Sequence, residues 1–157
     1  MTHKQTRLVT ISLGSNDVLL CNGDLTCIQA ALTQLSLNMA QILQGLRATG
    51  FRGVLIVVNY YSLDYTDPVE TSLVSLLNKT LAEVASMNGA VIADAFTAFR
   101  NVAYSTTFAG GNTCKAGLLN GNPPIPTLLC DVHPSQSGHQ LLADTVEAKY
   151  NAASPGH

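Results

Sequence analysis

The stretch CDVHPSQSGHQLLAD, residues 130–144, sets an aspartate and a histidine two positions apart in a polar loop. A neutral imidazole is the usual general base near pH 7, provided that another group fixes its tautomer. Asp131 can turn back and accept a hydrogen bond from one ring nitrogen of His133, leaving the other nitrogen to face a substrate. Such a pair supplies two members of a Ser-His-Asp arrangement. A second stretch, LVTISLGSND at residues 8–17, is an apolar run that stops at Gly14 and turns polar. Acyl transfer passes through an oxyanion that needs pre-placed donors, and the amide of Asn16 at a strand tip suits that task. Gly14 lets the backbone turn without a Cβ and can add an N–H of its own.

Each signal also has a plainer reading. Gly-Ser-Asn-Asp is a common turn composition, and His-Pro before a helix is often a loop followed by a capped start. His139 reads as packing at a helix N-terminus, and Asp94 as a hydrogen-bond partner of a neighbouring loop. A metal site from Asp131, His133 and His139 lacks a second carboxylate or a cysteine cluster, so neither metal nor cofactor is expected.

The elements that must position these residues follow from periodicity. Residues 8–13 read as a first strand. Residues 25–48 carry Ile28, Leu32, Leu35, Met39, Ile42 and Leu46 at helical spacing, and Gly50 ends that helix. GVLIVVNYY, residues 53–61, is apolar throughout, as a strand covered on both faces should be. Asp67 as cap, Pro68 in the first position and Glu70 in the first turn announce a second helix. Its stripe is Leu73, Leu77, Leu81 and Val84, and Asn88-Gly89 stops it. AVIADAF, residues 90–96, reads as a third strand, and residues 104–130 as loop. A last helix spans 138–150 with Ser135 or Ser137 as its cap, and the tail frays. Strands alternating with helices predict an α/β fold with a parallel sheet and right-handed crossovers. Ligands bind such sheets beyond the carboxyl ends of the strands, which puts GSND and NYYS (residues 59–62) at the crevice.

Composition narrows the function classes. The 157 residues fit one domain, 1–157, able to bury about 70% of its unfolded surface. With 46% hydrophobic and 11% charged residues, disorder is excluded for most of the chain. The net charge is −2 and the eight Lys and Arg are scattered singly, which argues against nucleic acid and anionic membranes as partners. The apolar runs are too short for a membrane span. MTHKQTR leads straight into a strand-length apolar run with no small-residue cleavage site, so no signal peptide is visible. Cys21 and Cys27 bracket a short loop and Cys114 and Cys130 a longer one. Two local disulfides would suit an exported protein; four free thiols are the alternative, since sequence alone fixes no connectivity.

Taken together, GSND after a first buried strand and DVHP…GH before the last helix resemble the third and fifth sequence blocks of the SGNH, or GDSL, hydrolases. Those are esterases and lipases on a flavodoxin-like three-layer α/β/α fold with a parallel sheet. The resemblance covers nearly the whole chain and implies hydrolysis of short-chain carboxylic esters. It makes Asn16 the oxyanion-hole asparagine, His133 the catalytic histidine and Asp131 its acidic partner. The two cysteine pairs match the small disulfide loops of secreted bacterial members, implying extracellular ancestry.

The family's Gly-Asp-Ser block, which carries the nucleophile, and its second glycine block have no counterpart in these residues. The chain therefore reads as the carboxyl-terminal portion of such a hydrolase, with an ancestral export signal on the lost segment. Ser15 is the candidate nucleophile, being the serine nearest the crevice, whereas Ser135 and Ser137 face the helix cap. A truncated sheet exposes the edge of the strand at 8–13, predicting a homodimer through that edge. The competing expectation is a catalytically impaired remnant that serves as a binding or oligomerisation module. A flavodoxin-like small-molecule binder is disfavoured, because no Gly-rich phosphate loop follows the first strand.

Overall fold

In the computed structural model, which describes residues 6–121 and 130–154, the chain forms two compact units. The first comprises Met1–Asn59, Leu77–Ala93 and Ala148–His157; the second comprises Tyr60–Leu76 and Asp94–Glu147.

The first unit is built on three parallel strands, β1 (Leu8–Ile11), β2 (Val54–Val58) and β3 (Val91–Ala93), in the order β1-β2-β3. Leu8 pairs with Val54 and Ile56 with Val91. The central strand β2 has Leu55, Ile56 and Val57 fully buried, which is why its sequence shows no alternation. A short helix α1 (Ser15–Leu19) and a long helix α2 (Leu25–Ala48) separate β1 from β2. Asp24 caps α2 by accepting from the Cys27 N–H at 2.8 Å, and Gly50, at φ +86°, follows its end. The buried stripe of α2 is Ile28, Leu32, Leu35, Met39 and Leu43, with Ile42 left 38% exposed. The expected Ile42 gives way to Leu43 because a residue four positions after Met39 stays on its inward face.

Helix α3 (Pro68–Met87) starts as its sequence announces: the Asp67 side chain accepts from the N–H groups of Val69 and Glu70, at 2.8 and 3.1 Å. Leu77, Leu81 and Val84 are buried, while Leu73 is half-buried. All three strands are shorter than expected. β3 stops at Ala93 because Asp94 caps a new helix, α4 (Ala95–Ser105), accepting from the Thr97 N–H at 3.2 Å. AVIADAF is therefore half strand and half helix, and Ala95, Phe99 and Ala103 form the buried face of α4 at four-residue spacing.

In the second unit the stretch between α4 and Gly121 is a series of turns, within the region expected as loop. The expected loop residues 122–129 lie outside the described residues, as do 155–157 of the tail. The last helix, α5 (Gln136–Ala153), exceeds its expected span at both ends. Of the two candidate caps, Ser135 fills the role: its hydroxyl accepts from the Gly138 N–H at 3.1 Å and donates to the Gly117 carbonyl at 2.7 Å. The carboxylate of Glu70 gathers the N–H groups of Leu63 and Asp64 and the hydroxyl of Ser62. Asp64 in turn accepts from Thr66 and Asn112, and those bonds, the Thr66 hydroxyl foremost, hold its carboxyl below the usual range. Both disulfides form, Cys21–Cys27 and Cys114–Cys130, so no thiol is free.

Gly138 and Gly14 are among the glycines fixed by close approach. A Cβ on Gly138 would lie 2.2 Å from the Leu118 carbonyl oxygen, and one on Gly14, at φ +120°, would lie 2.6 Å from the Leu35 side chain. Gly138→Ala and Gly14→Ala should each destabilise the protein by about 1–3 kcal/mol. Gly45→Ala, in the interior of α2 with open space around its Cβ, should stabilise by about 0.5–1 kcal/mol. Denaturant melts of the three variants check both signs. Replacing Cys114 and Cys130 by Ser should cost about 3 kcal/mol in the same assay, and replacing Cys21 and Cys27 about 2 kcal/mol. The order follows from the sequence separations of 16 and 6, because the longer loop loses more entropy on closure.

Candidate active site

The expected Asp131–His133 pairing is present in the second unit. His133 Nδ1 lies 2.6 Å from Asp131 Oδ1, and the His133 backbone N–H donates to the same oxygen at 3.3 Å. With Nδ1–H directed at a carboxylate, the tautomer is set and Nε2 carries the lone pair. The imidazole is 72% exposed and the carboxylate 54%, so the ring is open to solvent. The hydrogen bond from the His133 ring, helped by the backbone N–H groups of His133 and Val132, holds the Asp131 carboxyl below the usual carboxylate range. Asp131 is thus ionised wherever an imidazole changes its charge.

Backbone pairing holds this exposed loop. The Asp131 N–H donates to the Asn120 carbonyl at 2.7 Å, the Asn120 N–H to the His133 carbonyl at 2.8 Å, and the Ser135 N–H to the Leu118 carbonyl at 2.9 Å. Leu119 and Pro134 form an antiparallel bridge within the ladder. Gly138, lacking a Cβ, lets α5 start directly against the Leu118 carbonyl. Tyr61 reaches the loop from the end of NYYS: its hydroxyl donates to the Val132 carbonyl at 2.8 Å, and its ring stacks on Phe99 with centroids 4.1 Å apart. Burial, with the Asp131 charge as a lesser cause, pushes the Tyr61 phenol up to about 12. Sequence reasoning placed NYYS at the crevice without giving Tyr61 a role, because a tyrosine's partner 71 residues away leaves no local signal.

In the first unit, Gly14 stands at the N-cap of α1 at the carboxyl end of β1. Ser15 opens the helix and is half-buried, Asn16 is exposed, and buried Val18 fixes the face that α1 turns inward. GSND is therefore a turn that becomes the first turn of a helix, where a loop was expected. Gly14, Ser15 and Asn16 are brought together there, as Asp131 and His133 are in the second unit. His139 lies near the start of α5 as expected, but its side chain is exposed rather than packed. Among the described residues, no group of three or more His, Cys, Asp or Glu could hold a metal ion, and no helix is long and apolar enough to cross a membrane. A cavity of about 1080 Å³ in the first unit lies at the other, amino ends of the strands, walled by Arg7, Arg47, Phe51, Gly53, Val91 and Tyr150. None of the candidate residues lines it. Arg47 there serves the fold, donating to the carbonyls of Phe51, Gly53 and Gly89.

Among solved structures, the fold is similar to Axe2, an acetylxylan esterase from Geobacillus stearothermophilus, with a TM-score of 0.64 at 17% identity. A mutant of Axe2, described as an acetyl-xylooligosaccharide esterase, gives 0.61 at 18% identity. Each likeness covers 94% of this chain but 60% of the other, so the chain spans well under two thirds of those structures. No curated protein matches it. The sequence model of the GDSL-like lipase/acylhydrolase family matches residues 2–141. With that match over most of its length, on an α/β fold with a small parallel sheet, the chain belongs to the GDSL-like lipase/acylhydrolase family.

Proposed function

We propose that this chain hydrolyses short-chain carboxylic esters, with His133 as general base and Asp131 as the group that orients it. The observation that carries the reading is the 2.6 Å contact between His133 Nδ1 and Asp131 Oδ1, made with the imidazole open to solvent. Asn16 and the backbone at Gly14 stabilise the oxyanion, and Ser15 is the nucleophile. In the forward step of such a hydrolysis a serine oxygen bonds to the ester carbonyl carbon while its proton passes to the base. Collapse of the tetrahedral intermediate expels the alcohol, which takes that proton, and water activated by the same base then releases the acid. Acetyl esters are the first substrates to try, since the similar solved structures are of an acetylxylan esterase. The two disulfides fit an oxidising, extracellular setting.

Hydrolysis of p-nitrophenyl acetate is the direct test. His133→Ala should lower kcat/KM by about 10²–10⁴-fold, the usual contribution of a positioned acid-base group. Ser15→Ala should do the same; activity retained in that variant but lost with His133→Ala removes Ser15 and leaves a water mechanism or another serine. No turnover above the His133→Ala background would replace the enzyme by a binding module. The pH profile has a definite sign. Because the Asp131 pKa is depressed, the pair breaks only as pH falls below the usual carboxylate range. kcat/KM should therefore keep the contribution of the pair until pH falls below the usual carboxylate range, and Asp131→Asn should lower kcat/KM above it.

The reading includes a homodimer through β1, which among the described residues has a strand neighbour on one side only. Light scattering at micromolar concentration should give twice the chain mass, and a monomer would rule the dimer out.

A further inference from the structure

We infer that Tyr61 is a positioning residue for the Asp131–His133 pair, its hydroxyl fixing the peptide that joins them. The inference rests on the ester-hydrolase reading for its kinetic consequence, but its geometry stands apart from that reading. Val132 is the one residue between Asp131 and His133, and its carbonyl accepts the Tyr61 O–H at 2.8 Å. The carbonyl and the following N–H belong to one rigid peptide plane. Holding the Val132 carbonyl therefore aims the His133 N–H at Asp131 Oδ1, where it is found at 3.3 Å. The same restraint sets the backbone from which the imidazole reaches Oδ1 with Nδ1.

Other bonds to this loop restrain its flanks and leave the middle to Tyr61. Asn120 takes the Asp131 N–H and the His133 carbonyl, both through its backbone. Burial does not hold the loop, since Val132 is 46% exposed and the pair itself lies at the surface. Tyr61 can act as a rigid post because its ring is stacked on Phe99, which is fully buried on α4, with 7° between the planes. Its phenol remains protonated, and so a donor, throughout the pH range in which the imidazole works. Misplacement of about 1 Å in a catalytic group costs on the order of 100-fold in rate, so loss of one post should be visible in turnover.

Tyr61→Phe keeps the ring on Phe99 and removes only the hydroxyl. The expected result with p-nitrophenyl acetate is a fall in kcat of roughly 10-fold or more with KM little changed, since positioning of the base acts on the chemical step. The second readout does not depend on activity. A short imidazole-carboxylate hydrogen bond gives a far-downfield Nδ1–H proton resonance, which His133→Ala identifies by its disappearance; in Tyr61→Phe it should broaden or vanish. Tyr104→Phe, which removes a long 3.4 Å bond to the Tyr65 carbonyl, should alter neither readout. Tyr61→Met, which lacks the hydroxyl as well as the ring, repeats the test should Tyr61→Phe fold poorly. An unchanged resonance in a folded hydroxyl-less variant overturns the inference. A lost resonance in a protein without esterase activity upholds the positioning role and overturns the proposed function.

Discussion

An imidazole as exposed as that of His133 cannot be held by burial, and this constraint organises the loop that carries it. Exposed side chains sample several rotamers, so the orientation of His133 depends on a backbone that does not move. The antiparallel pairing of residues 118–120 with 131–135 supplies that backbone. The same short ladder brings Ser135 to the Gly117 carbonyl and to the Gly138 N–H, so the segment that presents the histidine also starts α5. Gly138 permits this because any side chain there would strike the Leu118 carbonyl. The disulfide Cys114–Cys130 ties the two sides of the ladder covalently. Behind it, Thr113 accepts from Leu118 and bonds to the backbone of Ser62 and Leu63, whose own turn is gathered by Glu70. Loop geometry is thus passed from a carboxylate at the start of α3 to the Asp131–His133 pair through backbone groups.

The first unit solves a different problem, which is to end a strand at a helix within a few residues. β1 leaves the ladder after Ile11, and a positive φ at Gly14 redirects the chain into α1. Leu35 of α2 occupies the space where a Cβ would stand. Packing and backbone conformation therefore both demand glycine, and the polar residues that follow are delivered at the carboxyl edge of the sheet.

The parts legible in the sequence were those carried by local patterns. The α2 span, the Asp67-Pro68 start of α3, the Gly50 stop and the continuous apolar run of β2 each rest on neighbours within a few residues. The Asp131–His133 pairing was legible for the same reason, its two members being two residues apart. What was missed depended on a cap hidden by composition, on how a helix faces its core, or on distant partners. AVIADAF has the composition of a strand, and only the capping of Thr97 by Asp94 divides it into β3 and α4. Ile42 and Leu43 both satisfy a helical stripe, and the turn of the helix relative to its core decides between them. Glu70 looked like a first-turn acid and also collects the 62–64 turn, while Tyr61 meets Val132 across 71 residues of sequence.

The construction of the loop bears on the choice between an enzyme and a binding remnant. A hydrogen-bonded pair as exposed as Asp131–His133 contributes little to folding, because solvent competes for it and two side chains must be immobilised. Stability does not account for the bonds that orient it. Holding Nδ1–H on a carboxylate leaves Nε2 with its lone pair directed outward, a condition that proton abstraction requires and simple ligand binding does not. A module that only bound a sugar or acyl group would be served as well by either tautomer. The restraint of the pair by Asn120 on its flanks and Tyr61 at its centre thus favours acid-base chemistry, with the nucleophile left as the role that the His133 and Ser15 variants assign.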